Sequence, residues 1–219
     1  MATPLSSDPS LAAFGSSLTA ITLAELGDKT FFMALILAVR HRARWVFIGS
    51  FAALTAVTLI SLALGYGLRE LLPQSLVPWL AAVLFLSFGI KLLIDAQGMA
   101  ANAATEEKAE AEQAINTAES SKAFNTAWAV IWEAFVLVFI AELGDRTQFT
   151  TIFMATAPAQ VFSFGGLLAG TLLGHALVTW LAVGAGKWIG QWVNERLLYR
   201  LSGGLFLVFG LAALSQALN

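Results

Sequence analysis

The chain has 219 residues, 58% of them hydrophobic and only 12% charged, with a mean hydropathy of +0.76. Soluble domains carry about 25% charged residues, and a chain this short has no core large enough to hide so much apolar surface, so it reads as an integral membrane protein. A net charge of −2 without a basic run excludes nucleic acid as a partner, and the lack of cysteine excludes disulfides, iron–sulfur centres and thiolate metal sites.

The first ten residues, Met1 to Ser10, are polar and lack the basic stretch and apolar core of a secretory signal, so the first apolar segment is expected to be retained. Six apolar segments follow at 12–39, 46–68, 76–96, 126–155, 160–188 and 199–218. Each approaches the roughly 20 residues a helix needs to cross the hydrocarbon. Lipid offers backbone amides no partners, and the runs do not alternate as barrel strands do, so all six are expected to be helical. Between the third and fourth lies an Ala/Glu-rich stretch, 98–124, with Glu106, Glu107, Glu110, Glu112 and Glu119. It is too poor in bulky apolar residues to build a core, and is expected to be a solvated tether or a lone exposed helix.

Lys and Arg are retained in cytoplasmic loops. Arg40, Arg42 and Arg44 in the first loop, Lys108 and Lys122 in the third, and Lys187, Arg196 and Arg200 around the fifth outweigh Arg69 on the other side. Both termini are therefore expected outside the cytoplasm and the 98–124 linker inside it. Lys91, near the end of the third segment, is expected to snorkel to the cytoplasmic surface.

The two halves repeat one another. Ala24-Glu25-Leu26-Gly27-Asp28-Lys29-Thr30 returns as Ala141-Glu142-Leu143-Gly144-Asp145-Arg146-Thr147. Phe47-Ile48-Gly49 matches Phe164-Gly165-Gly166, and Leu84-Phe85-Leu86-Ser87-Phe88-Gly89 matches Leu205-Phe206-Leu207-Val208-Phe209-Gly210. Residues 1–97 thus form a first three-helix repeat, 98–124 the linker and 125–219 a second repeat. An odd number of spans per repeat inverts the second, so the expected fold is all-α: a polytopic membrane protein of six transmembrane helices in two inverted three-helix repeats. In transporters of that design the binding site lies near the midplane, where repeated helices meet.

Ionisable groups inside a membrane are costly and mark function, and here they fall in the two repeated motifs. On a helix turning about 100° per residue, Glu25, Asp28 and Lys29 share one face, as do Glu142, Asp145 and Arg146. Four carboxylates and two cations leave a net charge of −2, which a divalent metal ion neutralises. Glu25, Asp28, Glu142 and Asp145 are therefore the expected metal ligands. Lys29 and Arg146, each four residues after a glutamate, are expected counter-ions of the empty site. Thr30, Thr147 and Gln148 are possible additional oxygen ligands, and Gly27 and Gly144 are positions where a helix loosens or packs closely. Oxygen donors without His or Cys suit Ca²⁺, Mn²⁺ and Mg²⁺. Crowded carboxylates in low dielectric also attract protons, which would replace a departing metal ion. The alternative use of these charges is a buried ion-pair network holding the helices together.

The duplicated Glu-Leu-Gly-Asp-(Lys/Arg)-Thr motif resembles uncharacterised protein family 0016, the Gdt-type cation transporters of bacteria, cyanobacteria, chloroplasts and the Golgi, and above all its cyanobacterial manganese exporters. The resemblance covers nearly the whole chain, and both motif copies fit the family signature. It implies a six-helix secondary transporter, not an enzyme, that exports Mn²⁺, or Ca²⁺, from the cytoplasm in exchange for protons. The metal ion is then substrate, not a permanently bound cofactor, and the host membrane is the plasma membrane or the thylakoid. Glu25, Asp28, Glu142 and Asp145 would be the cation ligands.

Three other readings compete. A passive cation channel shares the carboxylates without proton coupling. An exporter of amino acids or other organic cations uses a similar plan, but wants an apolar or aromatic pocket beside its charges. An intramembrane phosphatase needs clustered positive charge, which this acidic centre lacks. Two further residues stand apart: Glu133, beside Trp128 and Trp132, is expected at the membrane interface, and His175 is expected to be a hydrogen-bonded packing residue, with proton relay as the alternative.

Overall fold

The computed structural model describes residues 8–98, 104–119, 126–157, 163–189 and 195–218, and every regular element among them is an α-helix. In chain order these are α1 (Pro9–Glu25), α2 (Lys29–Arg40), α3 (Ala43–Leu71), α4 (Val77–Gly98), α5 (Ala104–Glu119), α6 (Ala127–Glu142), α7 (Arg146–Thr156), α8 (Phe164–Ile189) and α9 (Glu195–Leu218). Met1 to Ser7 and Lys122 lie outside the described residues.

Four helices, α3, α4, α8 and α9, are long and apolar enough to cross a bilayer unbroken; α6 and α7 together make a fifth such segment, bent by 69°. The chain is thus a polytopic membrane protein. Two of the expected segments are not single helices: 12–39 divides into α1 and α2 at residues 26–28, and 126–155 divides into α6 and α7 at 143–145. The cause is local. Gly27 and Gly144 take φ of 78° and 84°, left-handed values that only glycine adopts without strain and that no α-helix can continue through.

Bare backbone brings the helices together. α3 lies along α6 and α7, α8 along α1, and α4 along α9. A methyl group at Gly49 would strike the Ile131 carbonyl of α6, and one at Gly170 would strike Phe14 and Ser17 of α1, the small-residue contact on which membrane helices associate. Phe85 of α4 stacks on Phe206 of α9 with ring centroids 6.1 Å apart. Large apolar side chains such as Leu59, Ile94, Trp180 and Val208 remain exposed, as a lipid-facing surface requires.

The linker differs from expectation. α5 is not a lone exposed helix: it packs on α2, and Ala111 and Ile115, one turn apart, are fully buried in the main apolar cluster with Phe31, Leu37 and Ala134. Two apolar residues at the i, i+4 spacing give an otherwise polar helix one adhesive stripe. Ion pairs Lys29–Glu110 (3.1 Å) and Arg40–Glu119 flank that stripe. Glu133 differs as well. It is 4% exposed rather than interfacial, because it lies on the inward face of α6 with Val130, Ala134 and Val138, while its neighbours Trp128 and Trp132 face outward.

Candidate functional site

Each break turns a helix end and a helix start toward the protein interior. At the first, Glu25 closes α1, Leu26 is extended at φ −65°, ψ 117°, and Asp28 sits at the N-cap of α2 at φ −78°, ψ 167°. The second copies it: Leu143 at φ −66°, ψ 114°, and Asp145 at φ −75°, ψ 162°. In both, the aspartate amide donates to the glutamate carbonyl three residues back at 3.2 Å. The expectation of a continuous helical face is therefore replaced by a tight turn. It keeps glutamate and aspartate near one another while freeing the amides at the start of the next helix, where positive helix-dipole charge favours anions.

The structure brings Glu25, Asp28 and Glu142 together, with one carboxylate oxygen from each lying within 4.8 Å of the other two. All three side chains are buried. Threonine hydroxyls pin one oxygen of each glutamate: Thr30 donates to Glu25 Oε2 at 3.0 Å, and Thr147 approaches Glu142 Oε2 at 3.1 Å. The other oxygens, Glu25 Oε1 and Glu142 Oε1, are buried without a hydrogen-bond partner. Such orphaned acceptors are rare and expensive, and call for a ligand. Two oxygens bound to one Ca²⁺ at the usual bond length stand no more than about 4.6–5.2 Å apart, so three oxygens within 4.8 Å of one another are close enough to share a cation.

Asp145 is not part of that cluster. It is half-buried and turned to its own helix, accepting from the Thr147 amide at 3.2 Å as the N-cap of α7. Gln148 accepts from the Gly144 amide at 2.7 Å, so its carbonyl oxygen is occupied in holding the break. The two cations, expected as counter-ions of the empty site, are placed differently from one another. Arg146 crosses to the other half, where its guanidinium pairs with Asp28 and reaches the Ala24 carbonyl at 3.4 Å. Lys29 instead turns outward to Glu110 of α5. The remote arginine occupies the Asp28 carboxylate, which makes no capping bond to α2.

A cavity of about 400 Å³ reaches this centre from the side of the linker, bounded by Asp28, Asp145 and Arg146 and by Lys91, Asp95, Glu107 and Glu110. Lys91 is exposed and lines this opening. Tyr199 lies among these residues, with the Arg146 guanidinium 5.5 Å from its ring centroid and its hydroxyl donating to Glu107 at 3.1 Å. It thereby connects the linker helix to the centre. The sequence reading missed it; a tyrosine within an apolar segment, one of only two in the chain, is the available signal, since its hydroxyl needs a partner when buried. His175 is buried with Nδ1 lacking a hydrogen-bond partner, 3.7 Å from Glu25 Oε1. The expected hydrogen-bonded packing role does not describe that nitrogen.

The chain matches the family model described as divalent cation/proton antiporter GDT1 over residues 13–100 and 130–219, two stretches that each contain one break. It is 39% identical to the GDT1-like protein sll0615 of Synechocystis over 93% of this chain and 97% of that protein. It is 38% identical to the chloroplastic protein PAM71 of Arabidopsis thaliana, covering 93% of this chain and 56% of the relative. It is 36% identical to the chloroplastic GDT1-like protein 1 of rice, Oryza sativa subsp. japonica, covering 94% and 62%. The chain thus spans under two thirds of these chloroplast relatives. No solved structure matches it.

Proposed function

The chain belongs to the GDT1 family of divalent cation/proton antiporters, and on that premise we propose that it exports Mn²⁺, with Ca²⁺ as the second substrate, in exchange for protons through the carboxylate centre at the two breaks. The observation that carries this reading is the pair of orphaned glutamate oxygens, one on each of two residues that cluster with Asp28 inside the protein. Glu25, Asp28 and Glu142 bind the ion in this state, with Asp145 completing the set when the second break reorients. Thr30 and Thr147 hold the glutamates in place.

The six-span, inverted-repeat arrangement belongs to the same proposal, with residues 1–97 and 125–219 as the repeats. It is supported by the identical breaks and by reciprocal packing: α1 against α8 mirrors α6 against α3, while α4 against α9 joins equivalent helices. With the basic loops and the linker in the cytoplasm, the cavity at Asp28 opens inward, and a plasma or thylakoid membrane hosts the protein. Arg146 acts as a tethered counter-ion. In the empty site it compensates Asp28, and an arriving dication displaces it, so that negative charge is not left bare. His175 stands beside Glu25 with an unpartnered Nδ1 3.7 Å from Oε1, which supports the proton-relay alternative for this residue.

The test is Mn²⁺ and Ca²⁺ flux in proteoliposomes under an imposed pH gradient, wild type beside Glu25→Gln. The expected result is uphill Mn²⁺ movement driven by protons and lost in the variant. Flux indifferent to the gradient would replace the antiporter with a channel, and absence of metal flux would return the organic-cation exporter.

A further inference from the structure

Away from the two breaks, three chemistry-bearing side chains from distant parts of the sequence meet where α2 ends against α5 and α6. His41 follows Arg40 at the end of α2, Glu119 closes α5, and Glu133 lies in the second turn of α6. His41 Nε2 stands 3.2 Å from Glu119 Oε1 and 3.7 Å from Glu133 Oε2, and one donor atom from each of the three lies within 4.8 Å of the others. Arg40 also faces the group, pairing with Glu119 Oε2 and donating to Asn116 at 2.8 Å.

A second observation distinguishes this group from a surface charge cluster. The Glu133 side chain is 1% exposed, and neither of its oxygens has a hydrogen-bond partner. A carboxylate taken out of water with both oxygens unsatisfied is among the costliest side-chain placements, and His41 at 3.7 Å is too far to satisfy it by hydrogen bonding. What the position lacks is a ligand that accepts oxygen and nitrogen donors together.

We propose that His41, Glu119 and Glu133 form a second divalent-metal site, separate from the carboxylate centre, through which a first-row transition-metal ion fixes the linker helix α5 to the membrane helices. One imidazole nitrogen with two carboxylate oxygens favours Mn²⁺, Fe²⁺ or Zn²⁺ over the oxygen-seeking Ca²⁺ and Mg²⁺. The ligands grade from the buried Glu133 to Glu119, whose side chain is 25% exposed, so an ion enters from the α5 side and Arg40 yields its place on Glu119. Glu119 is the ligand that moves with the linker. The same helix carries Glu107 and Glu110 into the lining of the cavity at Asp28, so occupancy here sets how firmly that opening is bordered. The site itself stands whether or not the centre at Asp28 transports metal.

The test counts Mn²⁺ bound to the purified full-length chain in detergent by electron paramagnetic resonance, in a Glu142→Gln background that weakens the carboxylate centre. One ion should remain, with a ¹⁴N coupling from imidazole. Adding His41→Gln should remove that coupling, and Glu133→Gln or Glu119→Gln should weaken binding by at least roughly tenfold. Mn²⁺ should protect the 98–124 linker from protease, and this protection should vanish in the same variants. Glu119→Gln alters a partly exposed side chain and keeps the test decisive if Glu133→Gln fails to fold. A remaining ion without nitrogen coupling, or one indifferent to all three substitutions, would overturn the site, as would no remaining ion at all. Absence of Mn²⁺ flux in the wild-type chain with this ion still bound would strike the carboxylate centre alone.

Discussion

The break at Leu26–Asp28 and the break at Leu143–Asp145 share a backbone, with glycine φ values of 78° and 84°, and yet their charged residues do different things. Asp145 caps its own helix through the Thr147 amide. Asp28 leaves the start of α2 uncapped and is held by Arg146 from the opposite half. The position equivalent to Arg146 is Lys29, which turns to the linker. Arg146 Nη2 serves a carboxylate and a backbone carbonyl at once, those of Asp28 and Ala24, whereas the Lys29 ammonium pairs with Glu110 of the linker helix. Two nearly identical motifs thus produce one latched and one unlatched half.

The comparison can be broken most forcefully at the carboxylates. Asp28→Asn and Glu142→Gln are each expected to lower Mn²⁺ flux by more than about a hundredfold, the scale on which loss of a buried charged ligand acts, while the protein still elutes as a folded species on gel filtration. In equilibrium binding, Asp145→Asn should cost less affinity than Asp28→Asn; equal losses would erase the asymmetry between the halves. Next in size is the latch. Arg146→Gln is expected to slow turnover roughly tenfold, as unpairing a buried charge partner does, against less than about twofold for Lys29→Gln, whose partner is largely exposed. Similar effects in flux assays would mean that the crossing pair at Asp28 carries no special role.

A smaller effect tests what the breaks share. Gly27→Ala and Gly144→Ala should each destabilise by about 1–2 kcal/mol, because both place a side chain in the left-handed region. At Gly144 nothing lies within 4 Å of the added methyl, so the loss there is backbone strain alone. Thermal unfolding in detergent should show comparable decreases for the two; an unchanged midpoint would show that a continuous helix is tolerated. Smallest on transport is Ile115→Ala, which removes the bulky half of the α5 stripe. Cleavage within 98–124 should accelerate severalfold, with flux changed less than about twofold, and unaltered proteolysis would mean that α5 is held by its ion pairs instead.

Much of this was legible in the chain itself. The repeated Glu-Leu-Gly-Asp pattern in apolar segments pointed to the residues that converge, because charge inside a membrane has few reasons to persist. The glycines signalled loosening. A helical wheel did not separate Asp145 and Lys29 from the group, however, since a left-handed residue resets the azimuth of everything after it. The linker was misjudged for another reason: an Ala/Glu-rich helix has the same composition whether free or docked, and the difference rests on Ala111 and Ile115 finding a cluster that already contains Phe31 and Ala134. Glu133 was assigned to the interface by the tryptophans beside it, although successive helical residues point some 100° apart.

Composition and hydrophobic pattern by themselves determined that the chain lives in a membrane, that its elements are helices and that its charge is concentrated in two repeated motifs, because these follow from solvation and from backbone hydrogen bonding within each segment. Only the tertiary structure decided that Arg146 serves Asp28, that Asp145 stands apart from the other three carboxylates, that Tyr199 and α5 border the cavity and that His41, Glu119 and Glu133 meet. Those are pairings between residues far apart in the chain. They depend on which helix faces lie against one another and on how far each side chain reaches, quantities that a linear pattern does not contain.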